Sequence, residues 1–93
     1  MFIAELRWNE WNEEHIASHG VDPTEVEEVV FHRPFHATRV GENRFPLVGL
    51  TDAGRYLSII VELEPEPDGL YHVVTAREAA PKERRIYRRH YPA

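Results

Sequence analysis

Six histidines are spread over this chain of 93 residues, and two of them have the spacing of paired metal ligands. His15 and His19 stand four residues apart, so on a helix their imidazoles lie on one face. The rest of a zinc site is missing, because Ile16 stands where an H-E-x-x-H motif has its glutamate and the chain has no cysteine. We therefore predict no metal and no cofactor. The structural alternative is that His15 is an exposed or half-buried helix residue and that His19 is a helix C-terminal residue, where imidazolium suits the helix dipole.

Two other kinds of chemistry lack their motifs. The only serines, Ser18 and Ser58, stand in no G-x-S-x-G turn. The five glycines form neither G-x-G-x-x-G nor G-x-x-x-x-G-K. The sequence therefore supports neither serine-based hydrolysis nor a nucleotide cofactor.

The most informative segment is residues 70–87, where a strand pattern runs into a basic segment. Strict alternation predicts that one face of the strand carries Tyr71, Val73, Thr75 and Arg77. The guanidinium of Arg77, beside a basic helix, offers a fork of donors that matches phosphate oxygens. With a histidine as proton carrier, such a cluster can cleave RNA, because attack by the 2′-hydroxyl needs a base, an acid and a cation but no metal. The structural alternative is an ion pair of Arg77 with Glu78 or Glu83.

Charge is distributed unevenly along the chain, whose net charge is −5. Residues 1–32 contain eight acids and one base, whereas residues 70–93 contain six bases and two acids. The front third repels polyanions, and the C-terminal segment suits either a polyanion or an acidic partner. The alternative for that segment is a solvated basic helix.

Hydrophobic periodicity and capping signals predict eight elements in the order β-α-α-β-β-β-β-α. Asn9 can cap the first helix, and Asp22 with Glu25 forms a capping box for the second. The predicted ranges are a strand over 2–8, helices over 10–19 and 23–32, strands over 35–39, 44–50, 56–63 and 70–77, and a helix over 82–91.

These elements predict one α+β domain over residues 1–93, an antiparallel meander sheet with two N-terminal helices and one C-terminal helix. We assign Trp8 and Trp11 to packing. No apolar run approaches the roughly 20 residues of a membrane span, and no signal peptide opens the chain. We therefore expect a cytoplasmic protein with no membrane partner.

Three parts of the sequence, which span almost the whole chain, carry a resemblance to a known family. They are Trp8-Asn9 with His19-Gly20-Val21, the strand pair 44–50 and 54–61, and the stretch 74–79 with Lys82-Glu83-Arg84 and Tyr87. In these parts the chain resembles the BrnT-type toxins of bacterial type II toxin–antitoxin systems. The resemblance implies a small metal-independent endoribonuclease that inhibits translation, with a RelE/ParE-like fold. It also implies a ribbon-helix-helix antitoxin as partner and RNA, free or on the ribosome, as substrate.

The resemblance further implies which residues form the site. The implied catalytic set, expected to line one groove, is His19, Arg55, Arg77, Glu83 and Tyr87. The implied RNA contacts are Arg84, Arg85, Arg88 and His15. In this interpretation His19 or Glu83 takes the 2′-hydroxyl proton, and two arginines stabilise the phosphorane. Tyr87 stacks on a base or donates a proton.

The first helix departs from the family pattern at three positions. Trp11, His15 and Ser18 stand where the family usually carries a lysine, an asparagine and a second lysine. The loss of two cations weakens attraction to free RNA, so the chain either acts where other contacts supply affinity, for example on the ribosome, or has lost activity. The alternative function is a non-catalytic module of the same fold that binds a protein or nucleic acid through its basic C-terminal helix. The sequence leaves open the RNA preference, the antitoxin's identity and the oligomeric state, a homodimer included.

Overall fold

The computed structural model describes residues 1–92, which form three helices and one five-stranded sheet. The elements in chain order are β1 (Glu5–Arg7), α1 (Glu10–Ala17), α2 (Pro23–Phe31), β2 (His36–Ala37), β3 (Arg44–Leu50), β4 (Tyr56–Leu63), β5 (Leu70–Glu78) and α3 (Pro81–His90). The predicted element order is confirmed, and so are the bounds of β3 and β4. In this part of the chain no helix is both long and apolar enough to cross a membrane.

Both N-terminal helices begin at the predicted capping residues. The Asn9 side chain accepts a hydrogen bond from the backbone N–H of Asn12, and the Asn12 side chain accepts from the N–H of Asn9. Asp22 and Glu25 make the same reciprocal pair at the start of α2. These local bonds satisfy N–H groups that have no partner within the helix, so the starts can be predicted from the sequence.

The sheet is mixed, with strand order β1-β5-β4-β3-β2. Strands β2 to β5 form the predicted antiparallel meander. Strand β1 pairs parallel to β5, with Glu5 opposite Leu70 and Arg7 opposite His72, so the prediction of a purely antiparallel sheet is wrong. A hairpin loop fixes the direction of a neighbouring strand, but β1 joins a partner more than 60 residues later through no hairpin. The local sequence therefore carries no signal for its direction.

A β-bulge interrupts the pairing of β4 with β5. Val73 pairs with Val61, but the next pair is Thr75 with Ile60, so Val74 has no partner. One inserted residue reverses the alternation of side chains beyond it.

The bulge changes the face on which Arg77 lies. Arg77 pairs with Ser58, whereas Tyr71 and Val73 lie in the main core on the other face. The prediction that Arg77 shares a face with Tyr71 and Val73 is therefore wrong, whereas Thr75, which lies beyond the bulge and pairs with Ile60, shares the face of Arg77. Alternation counted along one strand cannot detect a bulge, which is defined by the partner strand.

Each face of the sheet has its own apolar cluster. The main core lies on the sheet face that α1 and α2 cover. It is formed by Leu6, Ile16, Val21, Val26, Val29, Val30, Leu47, Leu57, Ile59, Val61, Tyr71, Val73 and Ala76. The smaller cluster, on the α3 face, contains Val48, Ala79 and Tyr87, with Leu50 and Tyr56 packed against it. The helices thus cover both faces of the sheet, and α3 lies on the face that carries Arg77.

The two tryptophans have different environments. Trp8 is half-buried against the main core, and its indole N–H donates to Glu27 at 2.8 Å. Trp11 is 64% exposed, so the prediction of packing is confirmed for Trp8 and wrong for Trp11. The inward positions of α1 are occupied by Asn12 and Ile16, and the neighbouring position 11 therefore faces solvent.

Candidate functional site

Arg77 at the end of β5 and Glu83 in the first turn of α3 form the central ion pair of the predicted site. Arg77 donates from Nη1 to Oε1 of Glu83 at 2.8 Å and from Nη2 to Oε2 at 3.1 Å. The Ser58 hydroxyl donates to Oε2 at 2.9 Å, and the backbone N–H of Ala80 donates to Oε1 at 2.7 Å. The Glu83 carboxylate therefore joins β4, β5 and the start of α3.

These bonds decide the protonation of Glu83. Partial burial acts to raise the pKa of its carboxyl, but the donors from Arg77, Ala80 and Ser58 together outweigh burial and hold the pKa below its ordinary value. A carboxylate with a lowered pKa and filled lone pairs is a poor proton acceptor. Of the two general bases that the resemblance implies, His19 and Glu83, the geometry favours His19.

The same bonds predict how stability responds to acid. Because the pKa of Glu83 is lower in the folded chain than its ordinary 4.5, ionised Glu83 stabilises the fold at neutral pH. That contribution is lost as pH falls below about 4.5 and through the folded-state value. The free energy of unfolding of the wild type should exceed that of Glu83→Gln by a constant amount from pH 7 to about pH 5, and the difference should shrink at lower pH.

Urea unfolding at several pH values measures this difference. Glu66→Gln is the matched control, because Glu66 lies in an exposed loop and, in the part of the chain that the structure describes, belongs to no ion pair. A difference between wild type and Glu83→Gln that stays constant down to pH 3 would contradict the prediction.

Arg55 is held at the same end of the sheet from the other face. Its Nη1 donates to the Gly20 carbonyl at 2.8 Å and to Glu25 at 3.1 Å, and its Nε lies 3.6 Å from Oε1 of Glu78. Arg77 donates from Nη1 to the backbone carbonyl of that same Glu78 at 3.1 Å. The structure therefore brings the two predicted arginines to one residue at the end of β5, although they approach it from opposite faces.

His19 lies beside this cluster, in the turn just after α1, at the end of a row of rings that begins with exposed Trp11 and half-buried His15. Trp11 stacks on His15 with ring centroids 5.1 Å apart, and the His15 and His19 rings meet edge to face at 5.3 Å. His15 Nε2 lies 3.1 Å from Oγ1 of Thr75, which anchors the row to β5. His19 is exposed and directly precedes Gly20, whose carbonyl binds Arg55. The imidazole of His19 is therefore accessible to a substrate.

Tyr87 occupies a different position from the one that the resemblance implies. It is 4% exposed in the smaller cluster, and its hydroxyl donates to the Pro34 carbonyl at 3.0 Å. Burial raises the pKa of this hydroxyl. One turn later, Tyr91 donates in the same way to the Phe35 carbonyl. In this structure Tyr87 positions α3 on the sheet and offers no open face to a base.

The cations of α3 lack the carboxylate partners that most other cations in residues 1–92 have, Arg39 being the exception. Carboxylates lie within 4.0 Å of five arginines, which are Arg7, Arg33, Arg44, Arg55 and Arg77. No such partner is found within residues 1–92 for the cations of α3, namely Lys82, Arg84, Arg85, Arg88 and Arg89. Arg88 lies 5.8 Å from the ring centroid of Tyr56. The predicted RNA-binding segment therefore keeps its positive charge within an acidic protein.

Sequence reasoning missed His36 and His90, which meet beside α3. Their rings stack with centroids 3.9 Å apart. Burial, and secondarily the charge of His90, lowers the pKa of His36. Fifty-four positions separate the two residues in the sequence, and no local pattern connects them.

Among residues 1–92, no three His, Asp or Glu side chains are grouped so that they could hold a metal ion. No protein-family model matches the chain, and no curated protein sequence matches it either.

Proposed function

We propose that this chain is a metal-independent endoribonuclease of the toxin type, with a RelE/ParE-like fold of the BrnT kind. The observation that carries the proposal is the geometry of Arg77. Glu83 and the Glu78 carbonyl bind three of its five N–H groups, which fixes the guanidinium in place. The Nε–H and the second N–H of Nη2 make no hydrogen bond within residues 1–92 and lie on the same edge of the group. That edge is a preorganised fork for two phosphate oxygens.

The chemistry needs few further groups. His19 accepts the proton of the 2′-hydroxyl, whose oxygen attacks the adjacent phosphorus. Arg77 and Arg55 donate to the oxygens of the phosphorane as negative charge develops there. The bond from phosphorus to the 5′-oxygen then breaks, and this oxygen takes a proton from solvent. The products are a 2′,3′-cyclic phosphate and a 5′-hydroxyl.

The α3 cations supply affinity for the RNA backbone. Arg84, Arg85 and Arg88 have no carboxylate partner in the described part of the chain, so each can neutralise a phosphate. His15, beside His19, adds a ring for contact with RNA. A ribbon-helix-helix antitoxin that covers α3 and the Arg77 fork would block both RNA binding and cleavage.

A second candidate function is a non-catalytic binding module, and one observation favours it. Arg55 contacts both Glu25 and Glu78, so a phosphate must compete with two carboxylates for this guanidinium. In such a module, α3 alone would hold an acidic protein or a nucleic acid. The two functions differ in whether bound RNA is cut.

Incubation of the purified protein with single-stranded RNA in EDTA tests the proposal. We expect fragments that end in a 2′,3′-cyclic phosphate and begin with a 5′-hydroxyl, and growth arrest when the protein is expressed. A DNA strand of the same sequence is the matched control, because without a 2′-hydroxyl it should bind and stay intact. RNA that binds and stays intact would overturn the ribonuclease and favour the binding module.

A further inference from the structure

A cavity of about 160 Å³ lies between α3 and the sheet, on the face that carries Arg77. Its lining residues come from β2 and the residues after it, from β3, β4 and α3: His36, Thr38, Pro46, Leu47, Val48, Ser58, Glu83 and Ile86. Most of the wall is apolar, with a few polar groups that converge on it. This is the usual composition of a site for a small ring-shaped ligand.

The polar groups of the cavity have defined hydrogen-bonding roles. Ser58 is 8% exposed, and its hydroxyl hydrogen is committed to Glu83. Its oxygen receives no hydrogen bond from residues 1–92 and is therefore a buried acceptor with free lone pairs. Glu83 itself is saturated by its donors. The cavity thus presents an oxygen acceptor beside a carboxylate that cannot take further donors.

The opposite side of the cavity is a surface for a flat ring. His36 is neutral at pH 7, since its pKa is lowered, so its imidazole has one donor and one acceptor. Its face already stacks on His90 at 3.9 Å. Nδ1 of His90 lies 3.0 Å from the Ile86 carbonyl, which fixes that ring against the end of α3. A planar heterocycle in the cavity would meet the His36 imidazole on one side and aliphatic side chains on the other.

The size of the cavity limits what can enter. Its volume corresponds to about five water molecules at about 30 Å³ each in the liquid. One heterocyclic ring system fits this space, and a sugar or phosphate would stay outside. Arg77 lies outside the cavity, on the far side of Glu83. The cations of α3, which have no carboxylate partner within residues 1–92, also lie outside it. When a base occupies the cavity, the phosphates of the same nucleotide would therefore lie next to the free N–H groups of the Arg77 guanidinium.

We propose that this cavity binds one nucleobase of the RNA, selecting a base with an exocyclic amino group that donates to the Ser58 oxygen. The proposal rests on the proposed function, because it assigns the base-recognition step of the same substrate. Uracil, which has no amino group, should bind most weakly.

Methyl NMR with RNA analogues that cannot be cut tests the cavity independently of cleavage. The probes are 2′-O-methyl tetranucleotides of A, C or U. We expect the methyl signals of Val48 and Ile86, which lie on the α3 face, to shift with the A and C probes and to shift little with U. The affinity for the A or C probe should exceed that for U by about tenfold.

Two variants of one residue complete the test. Ile86→Trp fills the cavity and should lower the affinity for the A and C probes about tenfold, whereas Ile86→Val leaves it open and should keep the affinity. Shifts of these methyl signals without RNA cleavage would support the cavity and count against the ribonuclease. Cleavage of RNA with unshifted methyl signals, or equal affinity for the U and A probes, would overturn the base site alone.

Discussion

Replacing Arg77 with alanine is expected to lower the rate of RNA cleavage by about 100-fold or more. The guanidinium is held by Glu83 and the Glu78 carbonyl, and in the proposed mechanism its free N–H groups donate to the phosphorane oxygens. Loss of one preorganised donor to a developing anion typically costs that much in rate. Growth arrest on expression should disappear with the cleavage.

Two further variants separate chemistry from folding in this experiment. Glu83→Gln removes the ion pair but keeps the guanidinium, so its cleavage rate should fall less than that of Arg77→Ala. Arg77→Lys keeps the charge but loses the fork, and its rate should lie between those of the wild type and Arg77→Ala. Single-turnover rates on a defined RNA, with thermal unfolding of each variant, provide the comparison. Cleavage by Arg77→Ala at the wild-type rate would remove Arg77 from the mechanism.

Replacing Asn12 with alanine is expected to cost about 2 to 4 kcal/mol of stability. Asn12 is 2% exposed, and its amide donates to the carbonyls of Arg7 at 3.0 Å and Val73 at 3.3 Å. Its oxygen accepts from the N–H of Asn9. The alanine variant leaves buried backbone carbonyls of β1 and β5 without a donor at the point where α1 packs on both strands.

The loss should be easy to detect in a chain of this size. A domain of 93 residues has a free energy of unfolding of roughly 5 to 14 kcal/mol, so Asn12→Ala should lower Tm by roughly 10 to 30 °C. Asn43→Ala is the matched control, since Asn43 is an exposed residue in the turn before β3, and its Tm should stay near that of the wild type. Equal Tm values for Asn12→Ala and the wild type would show that these three bonds do not hold β1, α1 and β5 together.

The sequence predicted which residues belong to the candidate site, but only part of how these residues are placed relative to one another. Arg77 and Glu83 belong to one strand-to-helix unit, so the ion pair between them was one of the alternatives open from the sequence. That His19 lies beside Arg55 depends on the carbonyl of Gly20, which is 35 positions away from Arg55 in the chain. The hydroxyl of Tyr87 is bound to Pro34, 53 positions earlier. Those contacts are decided by packing between elements and leave no local pattern.

The sequence by itself determined the features that depend on neighbours along the chain. The capping residues Asn9 and Asp22 predicted where helices begin, and the glycine-containing turns at 41–43 and 52–54 predicted the bounds of β3 and β4. The basic character of α3 is likewise a property of consecutive residues. Each of these follows from backbone hydrogen bonds and side-chain periodicity within a few positions.

Only the tertiary structure decided the features that depend on a distant partner. The parallel direction of β1, the bulge at Val74 and the exposure of Trp11 each arise from which element packs against which. The bulge places Arg77 on the α3 face, where Glu83 can hold it and where the cavity lies. A one-residue change of register moves every later side chain to the opposite face, and that register is set by the facing strand.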